Sequence, residues 1–153
     1  MAFEIERKFL VKAGFLPQGE PQIRMEQGYL CAQPERTVRV RIAGEQAFIT
    51  VKGKLSGISR PEFEYPVPMA DALDMMKLTL VEPVCKVRHI LFVAGKKWEV
   101  DVFEGANAGL ILAEVELSDP DEVVELPGWV ATEVSQDMRY HNSQLAQHPY
   151  SCW

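Results

Sequence analysis

Cysteine is scarce in this chain: three residues among 153, Cys31, Cys85 and Cys152, far apart and odd in number. They build no disulfide framework and, without a CxxC pair, no zinc knuckle, so a reducing compartment is expected. Basic residues are outnumbered, 16 against 22 acidic for a net charge of −6, and no block of five or more Lys or Arg occurs. That balance argues against a nucleic-acid polymer bound through phosphate neutralisation. Long apolar runs are missing too: Ile90 to Gly95 falls far short of the roughly 20 residues that span a bilayer. Glu4 and Glu6 stand where a secretory leader would be basic and then apolar, so a cytoplasmic protein with no membrane partner is expected. Gly53-Lys54 lacks the preceding glycine of a P-loop.

What is present is 47% hydrophobic and 25% charged residues, enough apolar material for one domain over residues 1–153. The dominant signal is alternation with period 2. Strands are expected over Phe3 to Lys12, Arg24 to Ala32, Thr37 to Ala43, Ala47 to Lys52, Arg60 to Pro68, Val84 to Ala94, Lys97 to Glu104 and Leu110 to Leu117. Ala43-Gly44-Glu45-Gln46 and Gly95-Lys96 read as hairpin links. Two amphipathic helices are expected, Met69 to Leu80 and Pro120 to Leu126, the second capped by Ser118 or Asp119. A short last helix fits within Asp137 to Ala146, while Pro149 and the Ser151-Cys152-Trp153 end speak against order beyond it. The fold class is mainly β (α+β), an antiparallel barrel of eight strands with a few helices outside.

The charges carry the functional signal. Like-charged pairs one residue apart recur strand after strand: Glu4/Glu6, Arg39/Arg41, Glu62/Glu64, Lys86/Arg88, Glu99/Asp101 and Glu114/Glu116. Residues two apart in a strand share a face at roughly 6.5 Å spacing, so each pair projects two repelling charges from one side. Ordinary solvent-facing strands mix Ser, Thr and both signs; here each strand is nearly pure in sign. With Lys8, Lys52 and Arg60 the set holds eight acids and seven bases. Phosphate oxygens take Arg and Lys donors, and hard cations take carboxylate oxygens. Seven cations in one concavity point to several linked phosphates, and the acid pairs to one or two metals bridging them. If the barrel closes with this face inward, the cavity is a water-filled charged tunnel with its apolar outer face under the two helices.

Glu4-Ile5-Glu6-Arg7-Lys8 resembles the ExExK signature of the CYTH or triphosphate tunnel metalloenzyme superfamily. The likeness continues in order through Val38-Arg39-Val40-Arg41, Thr50-Val51-Lys52-Gly53, Arg60-Pro61-Glu62-Phe63-Glu64, Lys86-Val87-Arg88, Glu99-Val100-Asp101, Ala113-Glu114-Val115-Glu116 and Arg139-Tyr140-His141-Asn142-Ser143. The resemblance implies an eight-stranded tunnel that grips a small triphosphate with Mg²⁺ or Mn²⁺. Position by position it makes Lys8, Arg39, Arg41, Lys52, Lys86 and Arg88 triphosphate-binding, with Arg60 an addition. It makes Glu4, Glu6, Glu114 and Glu116 metal ligands, with Asp101 a further one, and Glu62 and Glu64 supporting residues. Gln27-Gly28-Tyr29-Leu30 resembles the segment whose Tyr belongs to the catalytic apparatus of short bacterial members, which brings Tyr29, with Lys8, to the chemistry.

The expected activity is removal of the terminal phosphate, inorganic tripolyphosphate being the first choice. The alternatives are a thiamine or nucleoside triphosphatase, a class IV adenylate cyclase, and a non-catalytic polyphosphate-binding barrel; no oligomeric state is fixed. His89, His141 and His148 do not sit at metal-binding spacing and read as satisfied or solvent-facing. Trp98, Trp129 and Trp153 read as packing residues, Trp129 also as a candidate for one end of the tunnel.

Overall fold

A computed structural model describes residues 2–18 and 21–153. The described residues form β1 (Phe3–Val11), β2 (Gln22–Gln33), β3 (Arg36–Ala43), β4 (Gln46–Gly53), β5 (Ser59–Pro66), α1 (Met69–Met76), β6 (Val84–Val93), β7 (Lys96–Phe103), β8 (Ile111–Glu116), β9 (Val130–Glu133) and α2 (Asn142–Gln147). The sheet runs β5-β4-β3-β2-β6-β7-β8-β1, and β1 returns to β5 through Phe3↔Pro61, Glu4↔Arg60 and Ile5↔Ser59, closing an eight-stranded antiparallel barrel. The two-residue turns carry positive φ at Gly44, Ala94 and Gly95, the twist that tight hairpins need. The strand β9, absent from the sequence reading, adds to the far end of β1; four residues are too few for a clear alternation.

The barrel inverts the usual arrangement, with most of its apolar packing outside. Phe9, Trp98, Val100, Ala113 and Val115 on the outer faces of β1, β7 and β8 form one core with Leu117, Val124 and Val130. Trp129 belongs here and not at a tunnel end: it stacks on Phe15 at 4.8 Å and meets the edge of Trp98 at 5.6 Å. The segment covering this core is not the expected Pro120 to Leu126 helix. Asp119 accepts from its neighbour Asp121 N–H at 2.8 Å, Glu122 turns back to Ser118 N–H at 2.8 Å, and its other oxygen pairs with Lys96 at 2.6 Å. These side-chain bonds favour a turn, and Val123 and Val124 follow it outside any regular element, Val123 94% exposed and Val124 8%.

A second core lies under α1, where Ala72 meets Val40 and Ala47. The helix stops at Met76, short of Leu80, because Lys77 and Leu78 bond back three residues to Asp74 O and Met75 O, and Leu80 N–H crosses to Tyr29 O at 2.9 Å. That crossing lies so close to β2 that a Cβ on Gly28 would collide with Thr79. A third cluster, Val84, Phe103, Leu110 and Leu112 with Tyr140 and Leu145, continues the inward-facing register of the charged pairs on β6, β7 and β8. It fills one end of the barrel beneath α2. The chain end is ordered, against expectation: Trp153 packs edge-on against Tyr140 and Tyr150, both at 5.0 Å, and its indole donates to His148 O at 3.1 Å. Among the described residues no helix is long and apolar enough to cross a membrane.

Candidate active site

The inward alternation of eight strands gathers the charged pairs around one cavity of about 460 Å³. Glu4, Glu6, Lys8, Tyr29, Arg39, Arg41, Lys52, Arg60, Glu62, Glu64, Lys86, Arg88, Glu114 and Glu116 all line it, as their shared strand faces predict. Asp101 does not. It is fully buried behind the wall, where Oδ1 accepts from Arg88 Nε at 2.7 Å and Oδ2 from Arg88 Nη2 at 2.9 Å and Lys86 Nζ at 2.7 Å. Its oxygens are turned to Arg88 and Lys86 and away from the cavity, so it holds these cations in place where the sequence pattern suggested a metal ligand.

Two poles emerge. On β3 and β6 the cations Arg39, Arg41, Lys86 and Arg88 stand together. Arg39 is held by Thr50 at 3.1 Å and Glu64 at 3.3 Å, yet its buried Nε has no partner among the described residues. Among the described residues the Arg41 side chain donates only to the neutral Gln27 Oε1, at 2.9 Å. Burial, with Arg39 and Arg88 close by, pulls its guanidinium down to about 9. Burial likewise pulls the Lys86 ammonium down to about 7: Asp101 opposes the shift, while Arg88 and Arg41 add to it. Asp101 is shared between them, but Arg88 also pairs with Glu99 at 2.8 Å and Glu114 at 3.7 Å, so it is Lys86 that is left short of compensation.

On β1, β5 and β8 the acids crowd. Glu6 faces Glu116 directly across the β1–β8 ladder, and Lys8 faces Glu114. The cations nearby are already engaged: Lys52 with Glu4 at 2.8 Å and Glu62 at 3.3 Å, Arg60 with Glu4 at 3.2 Å, Lys8 with Glu114 at 3.6 Å. Burial tends to raise the Glu4 carboxyl, but Lys52 and Arg60 hold it well below the usual range. Among the described residues Glu6 has no cation in ion-pair range; burial, then Glu114 and Glu4, push it up to about 8 against the weaker pull of Lys52 and Lys8. Glu62 rises to about 7 through burial and its contact with Glu4.

No three His, Cys, Asp or Glu side chains among the described residues converge as a ready cage for an ion. The donor set still suits a hard divalent cation. It is all carboxylate oxygen, and Glu6 is raised by like charges that such a cation would offset.

Sequence reasoning missed His141, Asn142 and Ser143, which also line the cavity. They sit at the start of α2, where no strand periodicity marks a face. His141 is satisfied, as expected of the histidines, with Nε2 3.3 Å from Ser135 O; burial, then Lys8 and Arg60, pull it down to about 4, so it is neutral at pH 7.

Residues 2–150 match the model of the CYTH domain. The chain belongs to the CYTH domain family. Among CYTH relatives, the inorganic triphosphatase of Acetivibrio thermocellus is 39% identical over 98% of this chain and 97% of its own length. That of Nitrosomonas europaea is 35% identical over 94% and 96%. The crystal structure of the inorganic triphosphatase NE1496 superposes with a TM-score of 0.68 at 34% identity, covering 95% of both chains. Each of these CYTH proteins is matched over at least 95% of its own length.

Proposed function

We propose that this chain is a triphosphatase that uses Mg²⁺ or Mn²⁺ to remove the terminal phosphate of inorganic tripolyphosphate, acting in the cytoplasm. The observation that carries the reading is that one cavity gathers Arg39, Arg41, Lys86 and Arg88 at one pole and Glu4, Glu6, Glu114 and Glu116 at the other, with charge left unmatched at both, Arg41 bonded to an amide and Glu6 facing Glu116; the downward shifts of Arg41 and Lys86 and the upward shifts of Glu6 and Glu62 agree with it. A polyanion bound with a divalent cation relieves both at once; neither alone does.

In this reading Arg39, Arg41, Lys86 and Arg88 grip the phosphate oxygens, helped by Lys8, Lys52 and Arg60. Glu6, Glu4, Glu114 and Glu116 hold the ion. Asp101 keeps Arg88 and Lys86 in place, and Glu64 does the same for Arg39. The cations withdraw charge from the terminal phosphorus and stabilise the pyrophosphate leaving group while water attacks in line; the P–O bridge breaks, giving orthophosphate and pyrophosphate. The ion, when bound, supplies Lewis-acid polarisation of the phosphate oxygens.

Phosphate release from tripolyphosphate, ATP, GTP and thiamine triphosphate, with Mg²⁺, Mn²⁺ or chelator, tests the proposal. Tripolyphosphate turnover that disappears with chelator is expected. Cyclic AMP formed from ATP would mean a cyclase, and a tripolyphosphate-induced rise in melting temperature without turnover would mean a binding barrel.

Tyr29, 5% exposed and opposite Arg39 in the β2–β3 ladder, is proposed to handle the proton of the attacking water. Tyr29→Phe is expected to lower kcat at least ~10-fold with KM nearly unchanged. An effect confined to KM would make the phenol a phosphate donor, and no effect would make it packing.

A further inference from the structure

We propose that the side-chain amides of Gln27 and Asn142 form a relay that positions Arg41 and Lys86, and that Gln27 and Asn142 are therefore positioning residues for the triphosphatase reaction proposed above, on which this inference rests. Arg41 Nε donates to Gln27 Oε1 at 2.9 Å, Gln27 Nε2 donates to Asn142 Oδ1 at 2.8 Å, and Lys86 Nζ donates to the same Oδ1 at 3.1 Å. A guanidinium and an ammonium can only donate. Gln27 must therefore turn its oxygen to Arg41 and its NH₂ to Asn142, whose oxygen must face both Gln27 and Lys86. Flipping either amide sets donor against donor, so the two cations at the ends fix one arrangement of everything between them. Gln27 is completely buried, where an unmatched amide is costly.

The reason for amides is electrostatic. Lys8, Lys52, Arg39 and Arg88 are each steadied by a carboxylate, which also cancels charge. Among the described residues Arg41 has no carboxylate in ion-pair range, and Gln27 orients it without neutralising it. Its full charge stays available for a phosphate oxygen. Because Gln27 lies on β2 and Asn142 at the start of α2, 115 residues on, the relay also ties the C-terminal segment to the site.

The test has a ligand-free arm and a kinetic arm. By NMR, Arg41 Nε–H in the full chain is expected to be protected from solvent exchange, and Asn142→Leu, which does not touch Arg41, is expected to lower that protection at least ~5-fold, while Asn142→Asp, which keeps the acceptor oxygen, is expected to retain it. Unchanged protection in a folded Asn142→Leu variant would overturn the relay, whatever the enzyme does. In steady-state kinetics with tripolyphosphate and Mg²⁺, Gln27→Met is expected to raise KM ~10-fold, and in an Arg41→Met background to add less than ~2-fold. Equal, additive effects in both backgrounds would show that Gln27 acts independently of Arg41 and would overturn the positioning role. Absence of turnover in the wild type would sink the proposed function, and the exchange measurement would still decide the relay.

Discussion

Glu6→Gln is expected to lower Mg²⁺-dependent turnover at least ~100-fold and at the same time to raise the melting temperature at neutral pH. Loss of even an outer-sphere partner of a metal costs up to ~100-fold, and Glu6 is proposed as a direct ligand. The gain in stability follows from linkage. Burial, with Glu114 and Glu4 close by, pushes the carboxyl up to about 8 from an ordinary value of 4.5, so between these values the folded state holds a proton that the unfolded state has released, and stability falls as pH rises. At pH 7 the accumulated penalty is about 3 kcal/mol as an upper figure, which corresponds to roughly 6–12 °C for a domain of this size. Gln keeps the shape and carries no charge, so the variant escapes the penalty. Melts at pH 5 and pH 8 read the difference: the advantage of Glu6→Gln should be small at the first and large at the second. Equal melting temperatures at pH 8, or turnover within twofold of wild type, would remove Glu6 from the ion site.

Asp101→Asn moves in the opposite direction. The carboxylate is completely buried and accepts bonds from Lys86 and from both Arg88 Nε and Nη2, and removing its charge takes the ion-pair partner from the buried Lys86, while Arg88 keeps Glu99 at 2.8 Å, at a cost of about 3–5 kcal/mol. The melting temperature is expected to fall by roughly 6–20 °C, by the same amount with and without Mg²⁺. Burial opposes ionisation of Asp101, but Arg88 and Lys86 keep its carboxyl well below the usual range, so its contribution is fully present above the ordinary value and is lost only in strong acid. A variant with unchanged stability but an altered Mg²⁺ requirement would return Asp101 to the ion site.

These two acids show what could be read before folding. Glu6 and Asp101 each belong to a like-charged pair on an alternating strand, and nothing local separates them. Their faces follow from backbone pleating, a property of neighbours two residues apart, and so the inward orientation of all six pairs, the barrel and the mixed-sign cavity were legible in the sequence. One failure shows the limit of such local cues. Pro120 to Leu126 has a helical composition cue, but Asp119, Glu122 and the pairing of Glu122 with Lys96 drew it into a turn.

The sequence by itself determined which strand side chains face into the barrel, because alternation assigns a face without reference to any partner. Only the tertiary structure decided what each can do there. Whether a carboxylate is spent or free depends on cations brought close from distant strands: Lys86 and Arg88 close over Asp101, while Lys8, Lys52 and Arg60 serve Glu114 and Glu4 and leave Glu6 repelled. The presence of His141 and Asn142 at the site is likewise a matter of tertiary contact, since Asn142 meets Gln27 of β2 and Lys86 of β6 across 115 and 56 residues of sequence, with Leu145 of α2 buried in the apolar end of the barrel. Charge compensation falls off over a few ångströms of space, and distance in space is what a linear pattern of residues does not carry.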